Sequence, residues 1–120
     1  MATLGELERV VMDELWSAPD GMPAKELLER INAAAATEGR KPLALTTVLT
    51  VLSRLESKHF VSSERGTRPR TFRARGTLAD HTANLMAELL ASSTDREAAL
   101  ARFVGSVPPG EAATLRRLLG

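Results

Sequence analysis

The chain has no cysteine and no tyrosine, and only one tryptophan, three phenylalanines and two histidines in 120 residues. The missing cysteine excludes a disulfide framework, thiolate catalysis and a Cys-ligated metal site together, and it suits a cytoplasmic setting. No apolar run approaches the roughly 18 residues of a membrane-spanning helix. The opening stretch lacks a basic region and already carries Glu6 and Glu8, so neither an export signal nor a membrane partner is expected. Catalytic signatures are equally scarce: there is no Gly-x-Ser-x-Gly elbow, no phosphate loop and no His-Glu-x-x-His. His59 and His81 have no further histidine at ligand spacing, so no metal, no cofactor and no enzymatic activity are expected. What remains is an ordinary globular composition, 43% hydrophobic and 26% charged, sufficient for one modest core and a short appendage.

Net charge is only +1, but it is unevenly distributed. Residues 1–42 hold 5 basic and 8 acidic side chains, residues 43–76 hold 7 and 2, and residues 77–120 hold 4 and 5. A solvated surface mixes signs, so a net +5 confined to the middle of the chain suggests a footprint for a polyanion.

Apolar spacing predicts a helix over residues 3–17 (Leu4, Leu7, Val11, Leu15), with Thr3 and Glu6 at capping-box spacing. Turn formers follow, and Pro23 suits the first turn of a second helix through Leu27, Leu28 and Ile31, which Gly39 can cap and Pro42 stops. A third helix, Leu45 to about Lys58, buries Val48, Val51, Leu52 and Leu55. Its other face carries Thr46, Thr47, Thr50, Ser53, Arg54 and Ser57, hydroxyl residues that helix stability alone does not favour. Leu49, at the edge of that face, could touch a bound polyanion such as DNA or pack on the hairpin that follows. Residues 60–65 and 70–75 read as strands joined by Gly66-Thr-Arg-Pro69, with Arg65 near the tip. Alternation divides Arg70, Phe72 and Ala74 from Thr71, Arg73 and Arg75. Trp16, Phe60 and Phe72 are expected in the core.

The tail reads as three short amphipathic helices. Thr77 with Asp80 and Thr94 with Glu97 resemble capping boxes, and the last helix follows Pro108-Pro109-Gly110. Their stripes, Leu78, Leu85, Met86, Leu89 and Leu90, then Leu100, Phe103 and Val104, then Leu115 and Leu118, have few partners in this chain on which to bury themselves. A small domain offers little surface for three more helices, so self-association is favoured over an added internal core.

Three helices followed by a hairpin with arginines at its turn form the order of a winged helix-turn-helix, whose third helix enters the major groove. The expected fold is therefore mainly α with a small β-hairpin: residues 1–76 a winged-helix DNA-binding domain, residues 77–120 a helical dimerisation region. Thr46, Thr47, Thr50 and Arg54 are the candidates for groove contact, and Arg65, Arg68 and Arg70 for phosphate or minor-groove contact. A solvated helix face and a charge-protected edge strand are the plainer readings of the same residues. A winged-helix protein-interaction module without specific DNA binding is the alternative function.

The chain also resembles the penicillinase repressor family over nearly its whole length. The similarity is carried by Leu7-Glu8, Val11-Met12 and Leu15-Trp16, by Thr46-Thr47-Val48 through Leu52, by Arg54-Leu55 and Lys58 leading to Phe60-Val61, and by Thr71-Phe72-Arg73-Ala74. The resemblance implies a homodimer that binds a dyad operator in double-stranded DNA and blocks transcription, with C-terminal helices making the dimer. Two departures bear on release from DNA. The copper-responsive branch has a C-terminal cysteine motif that this chain lacks, and members inactivated by proteolysis are cut at an Asn-Phe bond where Arg102-Phe103 stands here. An inactivating protease and an unknown effector, for which His81 and nearby tail residues are candidates, both stay open as further partners.

Overall fold

The computed structural model describes residues 4–120, which form two compact units, the first ending at Ala83 and the second Asn84–Gly120. The first contains α1 (Glu6–Trp16), β1 (Met22–Pro23), α2 (Ala24–Thr37), α3 (Leu45–Ser57), β2 (Val61–Glu64) and β3 (Thr71–Ala74). Helix α4 (Leu78–Ser92) begins in the first unit and continues into the second, which also holds α5 (Arg96–Ser106) and α6 (Pro109–Leu119).

Helices α1, α2 and α3 close around most of the side chains their spacing singles out, although Leu7 of the expected α1 stripe is 42% exposed. Val11, Met12, Leu15, Leu27, Ile31, Val48, Leu52 and Leu55 are at most 1% exposed, and Met22, Val61 and Phe72 of the sheet join them. Each such side chain contributes about 1.5–3 kcal/mol by burial, so the three helices and the sheet hold one another in place. Trp16 and Phe60 pack partly buried against this core.

The sheet is antiparallel with order β1-β3-β2, the wing being the β2–β3 hairpin in the register Val61↔Ala74 to Glu64↔Thr71. Its third strand, absent from the sequence reading, pairs Met22 with Phe72 and Pro23 with Thr71. Pro23 thus stands one residue ahead of its expected place, as the extended N-cap of α2, because an edge strand tolerates a residue without an N–H. Gly21 makes this pairing possible: its φ is +81°, and a Cβ there would lie 2.5 Å from the Phe72 carbonyl oxygen.

The helix ends show how the sequence sets the boundaries. Thr3, the expected first cap, lies outside the described residues; α1 instead starts after Gly5, whose N–H donates to Glu8 Oε1 at 2.8 Å. Gly39, with φ +70°, ends α2 as expected, its own N–H donating to Ala36 O and that of Arg40 to Ala35 O at 2.7 Å. The end of α3 has the same double hydrogen bond, His59 N–H to Glu56 O at 3.1 Å and Phe60 N–H to Leu55 O at 2.9 Å. There the left-handed residue is His59, at φ +67°. Thr77 and Asp80 form the expected reciprocal cap of α4, at 2.8 and 3.1 Å. The cap expected from Thr94 and Glu97 is replaced by Asp95, which accepts the Ala98 N–H at 3.1 Å. Because α5 starts one residue later, at Arg96, the carboxylate of Asp95 occupies the position where an oxygen acceptor is needed.

His81, in the first turn of α4, is buried with its ring centroid 5.2 Å from that of Trp16 and 5.5 Å from that of Phe60. The second unit, taken by itself, has no comparable core. Neither α5 nor α6 has a buried residue, and Met86, Leu89, Leu100, Phe103, Val104 and Leu118 are each at least 45% exposed. Leu85, Leu90 and Leu115 are half-buried, and Leu78 is exposed.

Candidate nucleic-acid interface

Helix α3 is set by its neighbours before it can present anything. Asn32 of α2 bonds both backbone groups of Leu43: its Nδ2 donates to the carbonyl at 3.0 Å and its Oδ1 accepts the N–H at 2.7 Å. This fixes the segment between the two helices, and α3 begins two residues later. At the other end Lys58 donates to Glu8 Oε1 at 2.8 Å, tying the end of α3 to the start of α1. That hydrogen bond, aided by the one from Gly5, holds the Glu8 carboxyl below its ordinary range even though burial opposes ionisation.

With its apolar stripe buried, α3 leaves Thr46, Leu49, Thr50, Ser53 and Arg54 exposed and Thr47 half-buried. Leu49 is 43% exposed, which puts it on the outward face. The Thr50 hydroxyl donates to the Thr46 carbonyl at 2.9 Å, so its donor is spent inside the helix while its lone pairs can still accept. No side chain caps the first turn and no acid occupies it, leaving amide donors and the positive end of the helix dipole open to an anion.

The basic segment 43–76 separates into two groups. Lys58 is paired with Glu8, Arg73 with Glu64 at 2.8 Å, and Arg70 with Glu56 at 3.0 Å. Among the described residues, Arg54, Arg65, Arg68 and Arg75 have no carboxylate within salt-bridge distance, and all four are exposed. Arg54, Arg65 and Arg68 were candidates from the sequence; Arg70, the fourth arginine candidate, is paired with Glu56, and Arg75, not a candidate, is exposed without a carboxylate partner. The alternation of β3 carried both signals, because it puts Arg70 on the face of buried Phe72 and Arg75 on the other. The result is a hydroxyl-bearing helix face and an arginine-bearing wing, with their acids engaged in internal pairs.

In the second unit, Met86, Leu89, Leu90, Leu100 and Phe103 line an apolar groove of about 380 Å³. All five were expected on the stripes of the tail helices. Val104, Leu118 and Leu119 extend the exposed apolar surface of this unit.

The family described as penicillinase repressor matches residues 4–120. The chain belongs to the penicillinase repressor family. Among curated relatives, the "Transcriptional regulator BlaI" of two Mycobacterium tuberculosis strains, CDC 1551 / Oshkosh and H37Rv, is 38% identical over 122 residues. The match covers 99% of this chain and 84% of each relative. This penicillinase repressor family member is thus a transcriptional regulator and not an enzyme, and its three-helix unit with a β2–β3 wing is a winged helix. No helix among the described residues is long and apolar enough to cross a membrane.

Proposed function

We propose that this DNA-binding repressor acts as a cytoplasmic homodimer on a dyad operator, with α3 in the major groove and the wing on the flanking backbone. Residues 1–76 are the reading domain and residues 77–120 the dimerisation region. The observation that carries the proposal is the charge partition of the basic segment, in which Arg54 on α3 and Arg65 and Arg68 in the wing are exposed with no carboxylate within salt-bridge distance. Thr46, Thr47 and Thr50 supply hydroxyls and methyls suited to base edges and the thymine methyl, whereas Arg65 and Arg68 neutralise phosphates without reading sequence. Dimerisation is supported by the exposure of Met86, Leu89, Leu100, Phe103, Val104 and Leu118, which a second copy of the same helices would cover, Leu78, Leu85, Leu90 and Leu115 adding to that surface.

The test incubates purified protein with sheared genomic DNA from its source at about physiological salt and sequences the recovered fragments. Sharp enrichment of a two-fold symmetric site at promoters is the expected result. Uniform recovery, or none, would refute specific recognition and make the arginine-bearing face a protein-interaction surface. Replacing Thr50 by Glu abolishes specific binding and leaves the dimer intact; Arg68→Ala weakens binding to every duplex and lowers the salt slope by about one.

A further inference from the structure

Arg70 stands in the basic segment, yet its surroundings are those of a structural joint. Its Nη2 donates to both carboxylate oxygens of Glu56, at 3.0 and 3.2 Å, and to Ser63 Oγ at 2.6 Å. The Ser63 hydroxyl in turn donates to Glu56 Oε2 at 2.7 Å. The three residues come from three elements: Glu56 from the last turn of α3, Ser63 from β2, and Arg70 from the turn end of the wing, just before β3. The guanidinium carbon lies 5.0 Å from the Phe72 ring centroid, and the Arg70 Nε is buried without a partner. Hydrogen bonding from Ser63, together with the charge of Arg70, holds the Glu56 carboxyl below its ordinary range.

We infer that Glu56, Ser63 and Arg70 form a clamp that sets the position of the wing relative to α3, with Arg70 a positioning residue and not a phosphate contact. The inference rests on the DNA-binding reading above and deepens it. A hairpin has little to hold its tip beyond its own ladder and whatever braces it against the rest of the fold. The clamp braces the turn end of the ladder: only four residues lie between Arg65 and Arg70 around the wing turn, and Arg70 is fixed to the helix that carries Thr50 and Arg54. Backbone phosphates bound by Arg65 and Arg68 are then held in register with the base pairs facing α3. An operator can be distinguished from other DNA only if both sets of contacts form at once. The carboxylate of Glu56 would repel a phosphate if it stood alone; paired with Arg70 it adds no net charge to the surface.

The decisive experiment compares E56Q, R70Q, R70K and the double variant E56Q/R70Q with the parent chain. Two duplexes serve as probes, one recovered from a random-sequence library by the parent protein and one with that sequence scrambled. Wing order in the free protein is read as the initial rate of tryptic cleavage between Arg65 and Gly66. The clamp predicts that cleavage accelerates at least about threefold in E56Q and in R70Q, and less in R70K, which keeps the charge pair. Affinity for the selected duplex falls about fivefold to tenfold in either Gln variant, and the double variant is no worse than the singles. Binding to the scrambled duplex is undiminished in E56Q.

Opposite signs would overturn the clamp. If Arg70 were a phosphate contact, R70Q would weaken binding to both duplexes and lower the salt slope by about one. E56Q would then tighten both, by releasing a guanidinium and removing a negative charge. Unchanged cleavage in both Gln variants would refute the clamp in the free protein whatever DNA does. A parent chain that selects no sequence would instead refute the operator reading, with the cleavage rates still deciding the clamp.

Discussion

Replacing Asn32 by Ala removes two hydrogen bonds at once, the 3.0 Å bond to the Leu43 carbonyl and the 2.7 Å bond from the Leu43 N–H. Each is worth about 1 kcal/mol net, and each backbone group left behind is half-buried, so water can replace part of what is lost. The expected cost is about 1.5–2 kcal/mol, or a fall of about 6–15 °C in the melting temperature of a unit of this size. Asn32→Asp is the informative companion. It keeps the acceptor for the Leu43 N–H but turns a second oxygen toward the Leu43 carbonyl, so it destabilises less than Ala at low pH, where the carboxyl can donate, and more at neutral pH. Chemical denaturation followed by circular dichroism at pH 4 and pH 7 measures all three proteins. The start of α3 is also loosened, so specific DNA affinity falls by more than folding stability alone predicts at temperatures where the variants remain folded. An Asn32→Ala variant within about 0.5 kcal/mol of the parent would show that the α2–α3 connection is held by the core and not by this side chain.

Three further expectations follow from the same geometry. His59 occupies a left-handed position at the end of α3, so His59→Gly should stabilise by about 1 kcal/mol, read as a raised denaturation midpoint; a lowered midpoint would mean that the imidazole makes a contact worth more than the strain. The Glu8 carboxyl has a folded-state pKa below its ordinary value, so its contribution is complete above that ordinary value, near 4.5, and is lost as pH falls through the folded value. A Lys58→Met variant should therefore lose stability at neutral pH and show a flatter acid limb in pH-dependent melting, and parallel curves for the two proteins would refute the pairing. Phe103→Glu places a charge in the apolar groove of the tail, and sedimentation should then show the dimer dissociation constant raised at least about tenfold with helix content preserved.

Sequence alone determined the elements that depend on local chemistry. The stripe of α3, the Gly39 stop, the Thr77–Asp80 cap and the alternation of β3 all follow from spacing within a few residues, and each occurs as read. The same local reading shows the hydroxyl face of α3, because a buried stripe at helical period leaves only one outward side. Tertiary structure decided whatever depends on residues far apart in the chain. Pairing of Met22 with Phe72 needs two segments about fifty residues apart to meet, so β1 has no signature of its own beyond a glycine and a proline. Seven basic residues in the middle segment look equivalent in one dimension; Lys58 is separated from Glu8 by 50 residues and Arg70 from Glu56 by 14. Only the fold distinguishes cations spent on internal carboxylates from those left for a polyanion, since an ion pair depends on distance in space, which sequence spacing does not supply beyond a turn of helix or a strand pair.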